Sequence, residues 1–445
     1  MRPFTFKRGV VLPEHKNETA RSPIVSVGPK PGAEMVFPVL QHSGAPATLI
    51  VQPGDYVRAG QKIAEAGAGV SAHVHSSVSG HVKEIQKALT PDGVVCDAVV
   101  VINDGCDEQT DDPLNRDYAA LSPGEIVSIV KEAGVTGLGG AGFPTHIKLS
   151  PPKDKQIDTI IINGSECEPY LSGDHRILLE ETDAVIRGVR AVLRVFNDAA
   201  AIISVKAHKT DAINLLIDKL RGDKDVRVAP LSPKYPAGSE KHLVRACLKR
   251  EIPAGGLPYD VGVIVLNVET VLAIDAAVAS GRPLTEKILT TGGGAVMNPG
   301  NYRARIGMSY RDFMEATGGF KTEPRKMISG GPMTGACMFT LDVPIVKFSS
   351  AFICLTDAEA GAPEEIPCVR CGKCVDACPM GLVPLDLYYY ILHDRTDDFL
   401  NGHGTECVEC GACSYVCPSK RFLAASIRVK KRENLYREAG NKIGR

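Results

Sequence analysis

Eight of the chain's fourteen cysteines fall in one stretch, as two copies of a single spacing: Cys368, Cys371, Cys374 and Cys378 before Pro379, then Cys407, Cys410, Cys413 and Cys417 before Pro418. Thiolates are soft ligands suited to iron–sulfur clusters and zinc. Three of them two residues apart can cap three corners of a cubane from one tight loop, while the fourth ligates the cluster of the other run. The spacing therefore assigns Cys368, Cys371, Cys374 and Cys417 to one [4Fe–4S] cluster. Cys407, Cys410, Cys413 and Cys378 go to a second. A structural zinc wants four thiolates with one pair well separated in sequence, which a doubled four-cysteine run does not offer. Gly372 and Gly411 allow tight turns that bring backbone N–H groups to the sulfurs. Two neighbouring clusters conduct electrons and catalyse nothing by themselves. The six dispersed cysteines, Cys96, Cys106, Cys167, Cys247, Cys337 and Cys354, read as ordinary buried thiols, with Cys167 the one to watch.

A second group of residues suits nucleotide chemistry. Gly137, Gly139, Gly140 and Gly142 satisfy G-x-G-x-x-G, but a helix rather than a strand precedes them and Phe143-Pro144 follows. That context is wrong for a Rossmann turn. The physical idea survives, because glycines let backbone N–H groups approach a phosphate or a flat ring. Lys148 can then neutralise a phosphate. Further on, Ile160–Pro169 sets Asn163, Glu166 and Glu168 at the end of an apolar strand, where the residues of an α/β sheet face a ligand crevice. Beside glycines and a lysine, the two carboxylates suit ribose hydroxyl or carboxamide recognition better than acid–base work. The plain alternative is a solvated acidic turn.

These residues need elements to hold them. At 445 residues and 47.5 kDa the chain is long enough for two to four domains at ~150 residues each. Its formal charge of −1 gives no field that would draw it onto nucleic acid. No apolar run approaches the ~20 residues of a membrane helix, and the first residues lack a signal-peptide core, so a cytoplasmic location is expected. Residues 1–35 hold five prolines and read as an extended arm. Residues 36–103 alternate short strands with turn signals, as a small barrel or sandwich does. An acidic linker spans 104–120. Residues 121–283 alternate apolar strands with helical stretches, the order of an α/β unit with a mainly parallel sheet. Residues 284–347 return to short strands, 348–425 carry the cysteine runs, and 426–445 form a basic tail. Lys420–Arg445 has nine basic and two acidic residues, suited to an acidic partner or anionic headgroups if it is not simply a frayed, solvated helix.

Two modules resemble known ones. Val51–Ile63 followed by Ser77–Val82 is similar to a biotinyl/lipoyl barrel-sandwich hybrid, but Ala64–Ser76 contains no carrier lysine, so a docking role is expected. His73, His75 and His81 on that unit lack the acid or thiol partners of a zinc site. Leu289–Arg303 resembles the soluble-ligand-binding β-grasp unit, and its Asn298-Pro299-Gly300-Asn301 is a good turn. Packing accounts best for Tyr388-Tyr389-Tyr390.

Taken in order, Gly137–Pro144 with Lys148, Asn163 to Pro169, Gly238-Ser239-Glu240 and Asn267-Val268-Glu269-Thr270 resemble the flavin and NADH site of the flavin-carrying subunit of respiratory complex I. With the doubled cysteine run, similar to that of bacterial ferredoxins, and the N-terminal barrel, the whole chain resembles the peripheral C subunits of the Rnf ion-translocating ferredoxin:NAD oxidoreductases. The related A subunit of the sodium-pumping quinone reductase lacks the cluster cysteines. The resemblance implies an α/β multidomain fold: barrel-sandwich hybrid, complex I flavin-subunit-like α/β core, β-grasp unit and a bacterial two-cluster ferredoxin-like helical domain. It implies non-covalent FMN held by Gly137–Gly142, Lys148, Asn163, Glu166 and Asn267. It places Phe143 on the adenine of NADH, and Glu168 and Glu240 at the nicotinamide end. The expected activity is exchange of hydride between NAD(H) and FMN and of single electrons with two [4Fe–4S] clusters, with no protein nucleophile. Ion movement, of Na+ or H+, would lie with membrane subunits through which the chain docks on the cytoplasmic side. Two positions depart: Leu138 stands where complex I has Arg, and Ser165 where it has Asp. Competing expectations are an NADH-oxidising subunit of a soluble hydrogenase or formate dehydrogenase complex, and an electron-relay scaffold without NADH binding.

Overall fold

The computed structural model of the chain describes residues 3–110, 114–361 and 364–443, with side chains as far as Leu435. Three residues of the acidic linker and the end of the basic tail lie outside the described residues. The apolar segments of the central unit form a four-stranded sheet in the order Val226–Leu231, Ala200–Lys206, Thr159–Gly164, Val263–Asn267, with every pair parallel. Runs such as Ile160-Ile161-Ile162 are apolar at every position because both faces are covered. Ile160, Ile162, Ile203 and Val205 meet helices Pro123–Glu132, Thr182–Val195 and Val268–Ser280 on one side. Ile161, Ile202 and Val265 meet helix Glu240–Leu248 on the other. Gly188 lets two of these helices touch, since a Cβ there would overlap the Val271 carbonyl. The carboxyl ends of two strands bring Asn163 and Asn267 into register as neighbours.

The N-terminal module pairs a four-stranded antiparallel sheet, ordered Glu34–Pro38, Val95–Asn103, Gly80–Leu89, Tyr56–Val57, with a three-stranded one. Met35, Phe37, Ile63, Val74 and Val101 fill the space between them. The same core runs on into a six-stranded mixed sheet ordered Ile24–Val27, Gly300–Arg305, Glu286–Gly292, Ala351–Leu355, Lys326–Ser329, Ala336–Met338. Two strands of that sheet lie outside residues 284–347. Each is short, and its partners are remote in sequence, so no local pattern marks it.

The arm is extended, as its prolines suggest, but it is pinned along its length. Phe4 bonds Pro230 and Ser232, Val10 pairs with Tyr235, and Lys16 reaches the Glu166 carbonyl. The C-terminal unit consists of helices Lys373–Ala377, Pro384–Leu392, Thr396–Asn401, Ala412–Tyr415 and Leu423–Ile443. No helix among the described residues is long and apolar enough to cross a membrane. Two expectations need correcting. Cys106 and Cys337 are exposed thiols rather than buried ones, because each sits in or beside a surface strand or loop. Of the three tyrosines only Tyr388 is buried; Tyr389 faces out and packs against His393 with ring centroids 4.2 Å apart, since consecutive residues cannot share a helix face.

Candidate functional site

The glycine turn closes on itself. The Gly137 N–H donates to the Phe143 carbonyl at 2.8 Å and the Gly142 N–H to the Gly137 carbonyl at 3.0 Å. Gly140 sits at φ +106°, where an L side chain is strained. Gly139 abuts Asn267, whose Cβ would stand 3.2 Å from an added methyl. The turn is tied to the next element by the Leu138 N–H, which donates to Thr270 Oγ1 at 2.9 Å. The Leu138 side chain points away into the barrel core. Ser165 is fully buried, and its hydroxyl donates to Asn163 Oδ1 at 2.6 Å. Neither departure from the complex I pattern offers a charge to a ligand.

The turn opens onto a cavity of about 870 Å³, within the size range of cofactor pockets. Gly137, Gly139, Gly140, Phe143, Lys148, Asn163, Glu166, Glu168, Glu240 and Asn267 all line it. Gly142 does not. It packs behind the turn against His42 and Phe348. The carboxyl end of the parallel sheet supplies Asn163 and Asn267, and the loop after the first strand supplies Glu166 and Glu168. Asn267 also caps helix Val268–Ser280 through the Glu269 N–H, at 2.8 Å.

The charges around this cavity are largely committed to one another. Lys148 Nζ donates to Glu240 Oε1 at 2.5 Å and to the Val265 carbonyl at 2.9 Å. Glu166 accepts from Lys209 Nζ at 2.6 Å and from the Asp174 N–H at 2.7 Å, with Lys16 3.8 Å away. Burial alone would raise this carboxyl, but Lys209 and Lys16 hold it below its ordinary value. Lys287 and Glu269 form a buried pair. Asp174 has no such cation. Burial and the repulsion of Glu166 and Glu269 push it up to about 7, while its Oδ2 accepts from Asn267 Nδ2 at 2.9 Å. Glu168 is also raised by burial. It accepts from the Met333 N–H at 3.0 Å and from Thr334 Oγ1 at 2.6 Å. Cys167 is pushed up to about 11 by burial and by Glu168, which marks it as an inert thiol rather than a nucleophile.

The two cysteine loops have the same backbone. Arg370 and Glu409 sit at φ +53° and +55°, Gly372 and Gly411 at +76° and +77°. In each loop an N–H points at sulfur, Arg370 to Cys368 Sγ at 3.4 Å and Glu409 to Cys407 Sγ at 3.3 Å. Such donors are what a cluster thiolate accepts. Cysteines of different runs also come together. Cys410 and Cys413 are pushed up to about 12 by burial and by neighbours that include Cys407 and Cys378, and Cys374 is raised by burial and by Cys417. As anions these thiols would repel one another. Cys410 lines the same cavity as the glycine turn. In the other set Cys371 is exposed.

Several cavity residues carry no local signature. Tyr235 and Asp174 each lie near a motif without belonging to it. Lys16 and Lys209, which hold Glu166 without lining the cavity, come from the arm and from a helix start. Arg428 and Arg432, on the last helix, reach the cavity wall and show only as part of a basic tail.

Four family models match the chain: the RnfC barrel sandwich hybrid domain over 4–106, the Nuo51 FMN-binding domain over 130–276, the SLBB domain over 291–336 and the 4Fe-4S dicluster domain over 367–421. The C subunit of the proton-translocating ferredoxin:NAD(+) oxidoreductase complex of Clostridium ljungdahlii is 44% identical, over 85% of this chain and 83% of that one. The C subunit of the Na(+)-translocating ferredoxin:NAD(+) oxidoreductase complex of Acetobacterium woodii is 41% identical, over 98% of this chain and 99% of that one. The C subunit of the ion-translocating oxidoreductase complex of Cronobacter sakazakii is 36% identical over 88% of this chain, which spans about half (51%) of that relative's length. A crystal structure of an NAD+-reducing [NiFe]-hydrogenase in the H2-reduced state shares the fold, at TM-score 0.50 and 17% identity, over 71% of this chain and 61% of that one.

Proposed function

The chain belongs to the C-subunit family of the Rnf ion-translocating ferredoxin:NAD oxidoreductase complexes, and on that premise we propose how its residues divide the work. It is an electron-transfer subunit, the NAD(H)-linked oxidoreductase component that carries FMN and two [4Fe–4S] clusters, and its partners are the other peripheral and membrane subunits. The observation that carries the reading is that the glycine turn and Cys410 line one cavity. Bound FMN supplies the conversion between two-electron hydride chemistry with NAD(H) and single-electron transfer to cubanes.

Everything else is positioning by the chain. Gly137, Gly139 and Gly140 let the turn's backbone approach the flavin, and Gly142 closes the turn behind them. Lys148 provides charge for its phosphate, and Asn163 and Asn267 offer amides at the sheet edge. Glu166, clamped by Lys209 and the Asp174 N–H, keeps that edge rigid. Phe143 gives the adenine a face to stack on. Glu168 and Glu240 present acceptors for the nicotinamide and ribose end. Cys407, Cys410, Cys413 and Cys378 hold the cluster beside the cavity. Cys368, Cys371, Cys374 and Cys417 hold the one nearer solvent, where a redox partner exchanges electrons with it. Since no helix of the described residues is long and apolar enough to span, ion movement belongs to the partners. The chain sits peripherally on the cytoplasmic face.

Anaerobic purification with flavin, iron and acid-labile sulfide assays tests this reading. About eight irons per chain, bound flavin and bleaching of flavin absorbance by NADH are expected. Stoichiometric zinc with almost no iron overturns the cluster assignment. Flavin that NADH leaves unbleached favours a relay without NADH binding, the reading that Leu138 and Ser165 motivate.

A further inference from the structure

Tyr235 belongs to no cysteine run and to no glycine turn, yet it stands between them. It is only 3% exposed, and its hydroxyl donates to the Cys410 carbonyl at 2.7 Å while lying 3.5 Å from Glu168 Oε1. A phenol has one proton, so these two acceptors compete for it. The junction is tightly built. Cys410, Ala412 and Tyr235 share an apolar cluster with Leu12, Met333 and Val408. A Cβ at Gly331 would overlap the Glu168 carboxylate, and one at Gly411 would press on the Met333 carbonyl at 2.9 Å. The Met333–Thr334 loop thus touches the nucleotide-side carboxylate and the cluster loop together.

We infer that Tyr235 is a positioning residue through which a dinucleotide bound at Glu168 changes the reduction potential of the cluster held by Cys407, Cys410, Cys413 and Cys378. The inference rests on the placement of the nicotinamide end at Glu168. The phenol's short bond, 2.7 Å, is to the Cys410 carbonyl, and Glu168 Oε1 at 3.5 Å pulls on the same proton from the other side. When a ligand's amide or hydroxyl donates to Glu168, that pull weakens and the proton is committed to the Cys410 carbonyl. Donation there withdraws electron density from the cluster's ligand loop and favours the reduced cluster. By linkage, reduction of the cluster tightens dinucleotide binding by the same factor. The element both sites bias is the strength of the phenol's bond to the Cys410 carbonyl.

The test is an EPR-monitored redox titration of the full-length holoprotein with and without the redox-inert analogue 1,4,5,6-tetrahydro-NAD. In the wild type the analogue should raise the reduced-to-oxidised ratio of one cluster about tenfold at fixed potential, which is 59 mV for one electron. In Tyr235→Phe, with iron, sulfide and flavin contents at wild-type level, the two titrations should coincide at the lower potential. Glu168→Gln, which removes the ionised competitor, should titrate without analogue as the wild type does with it. A shift that persists in Tyr235→Phe, or a wild type unmoved by saturating analogue, overturns the inference. The underlying reading is judged separately, by whether NADH bleaches the wild-type flavin.

Discussion

Lys148 and Glu240 share one ion pair, and this makes opposite predictions for their removal. If Lys148 serves the flavin phosphate, it must leave Glu240 to do so. A hydrogen bond to a charged group contributes about 1.5–3 kcal/mol. The pair it gives up is partly exposed, at 27% and 40% of the two side chains, and such pairs hold about 0.5–1 kcal/mol. Lys148→Ala should therefore cost about 1–2 kcal/mol of flavin affinity, a loss of roughly 5–30-fold. Glu240→Gln frees the ammonium beforehand and should tighten FMN about two- to fivefold, while raising KM for NADH. The double variant should show no gain from the second change, because its benefit acts through Lys148. Fluorescence titration of flavin-depleted protein with FMN measures all three constants. Equal weakening by both single variants would refute the reasoning, since it would mean that the pair and its bond to the Val265 carbonyl only brace the cavity wall.

Two further changes probe the scaffold. Lys347 is fully buried, donates to the His73 and Gly134 carbonyls at 2.5 and 2.7 Å, and is pushed down by burial to about 7. Its folded value lies below its unfolded one, so its contribution is present at high pH and lost as pH falls from 10.5 through 7. Lys347→Met should raise Tm relative to wild type at about pH 6 and lose that advantage by about pH 10; a pH-independent difference in thermal melts refutes this. Gly188→Ala should lower stability by about 1–3 kcal/mol, as overpacking does, and an unchanged Tm would mean that the helices Thr182–Val195 and Val268–Ser280 slide apart without strain.

What could be read from the chain alone follows what local chemistry dictates. Cluster ligation fixes cysteine spacing, so the two-cluster domain over 367–421 announces itself in the doubled run, and the spacing proposes the exchange of Cys378 and Cys417 between the runs. Strands buried on both faces, such as Ile160–Ile162, announce themselves by composition. The Glu166 and Glu168 carboxylates were legible as acids at a strand end, but not their different fates, because Lys209, Lys16 and the Met333–Thr334 loop arrive from 43, 150 and 165 residues away. Tyr235 was invisible for the same reason. The edge strand Ile24–Val27 pairs with residues 301–304, and nothing in its neighbourhood says so. The Lys148–Glu240 pair likewise joins two residues that the resemblance places at opposite ends of a ligand.

The pinned N-terminal arm sets a constraint on biosynthesis. Phe4 and Phe6 are made early, yet the backbone that receives them, around Pro230 to Tyr235, emerges more than two hundred residues later. At about 5–20 residues per second the arm waits roughly ten to fifty seconds with its aromatic groups uncovered. Slower translation lengthens the interval, and a nascent-chain chaperone has this segment as an apolar client throughout it.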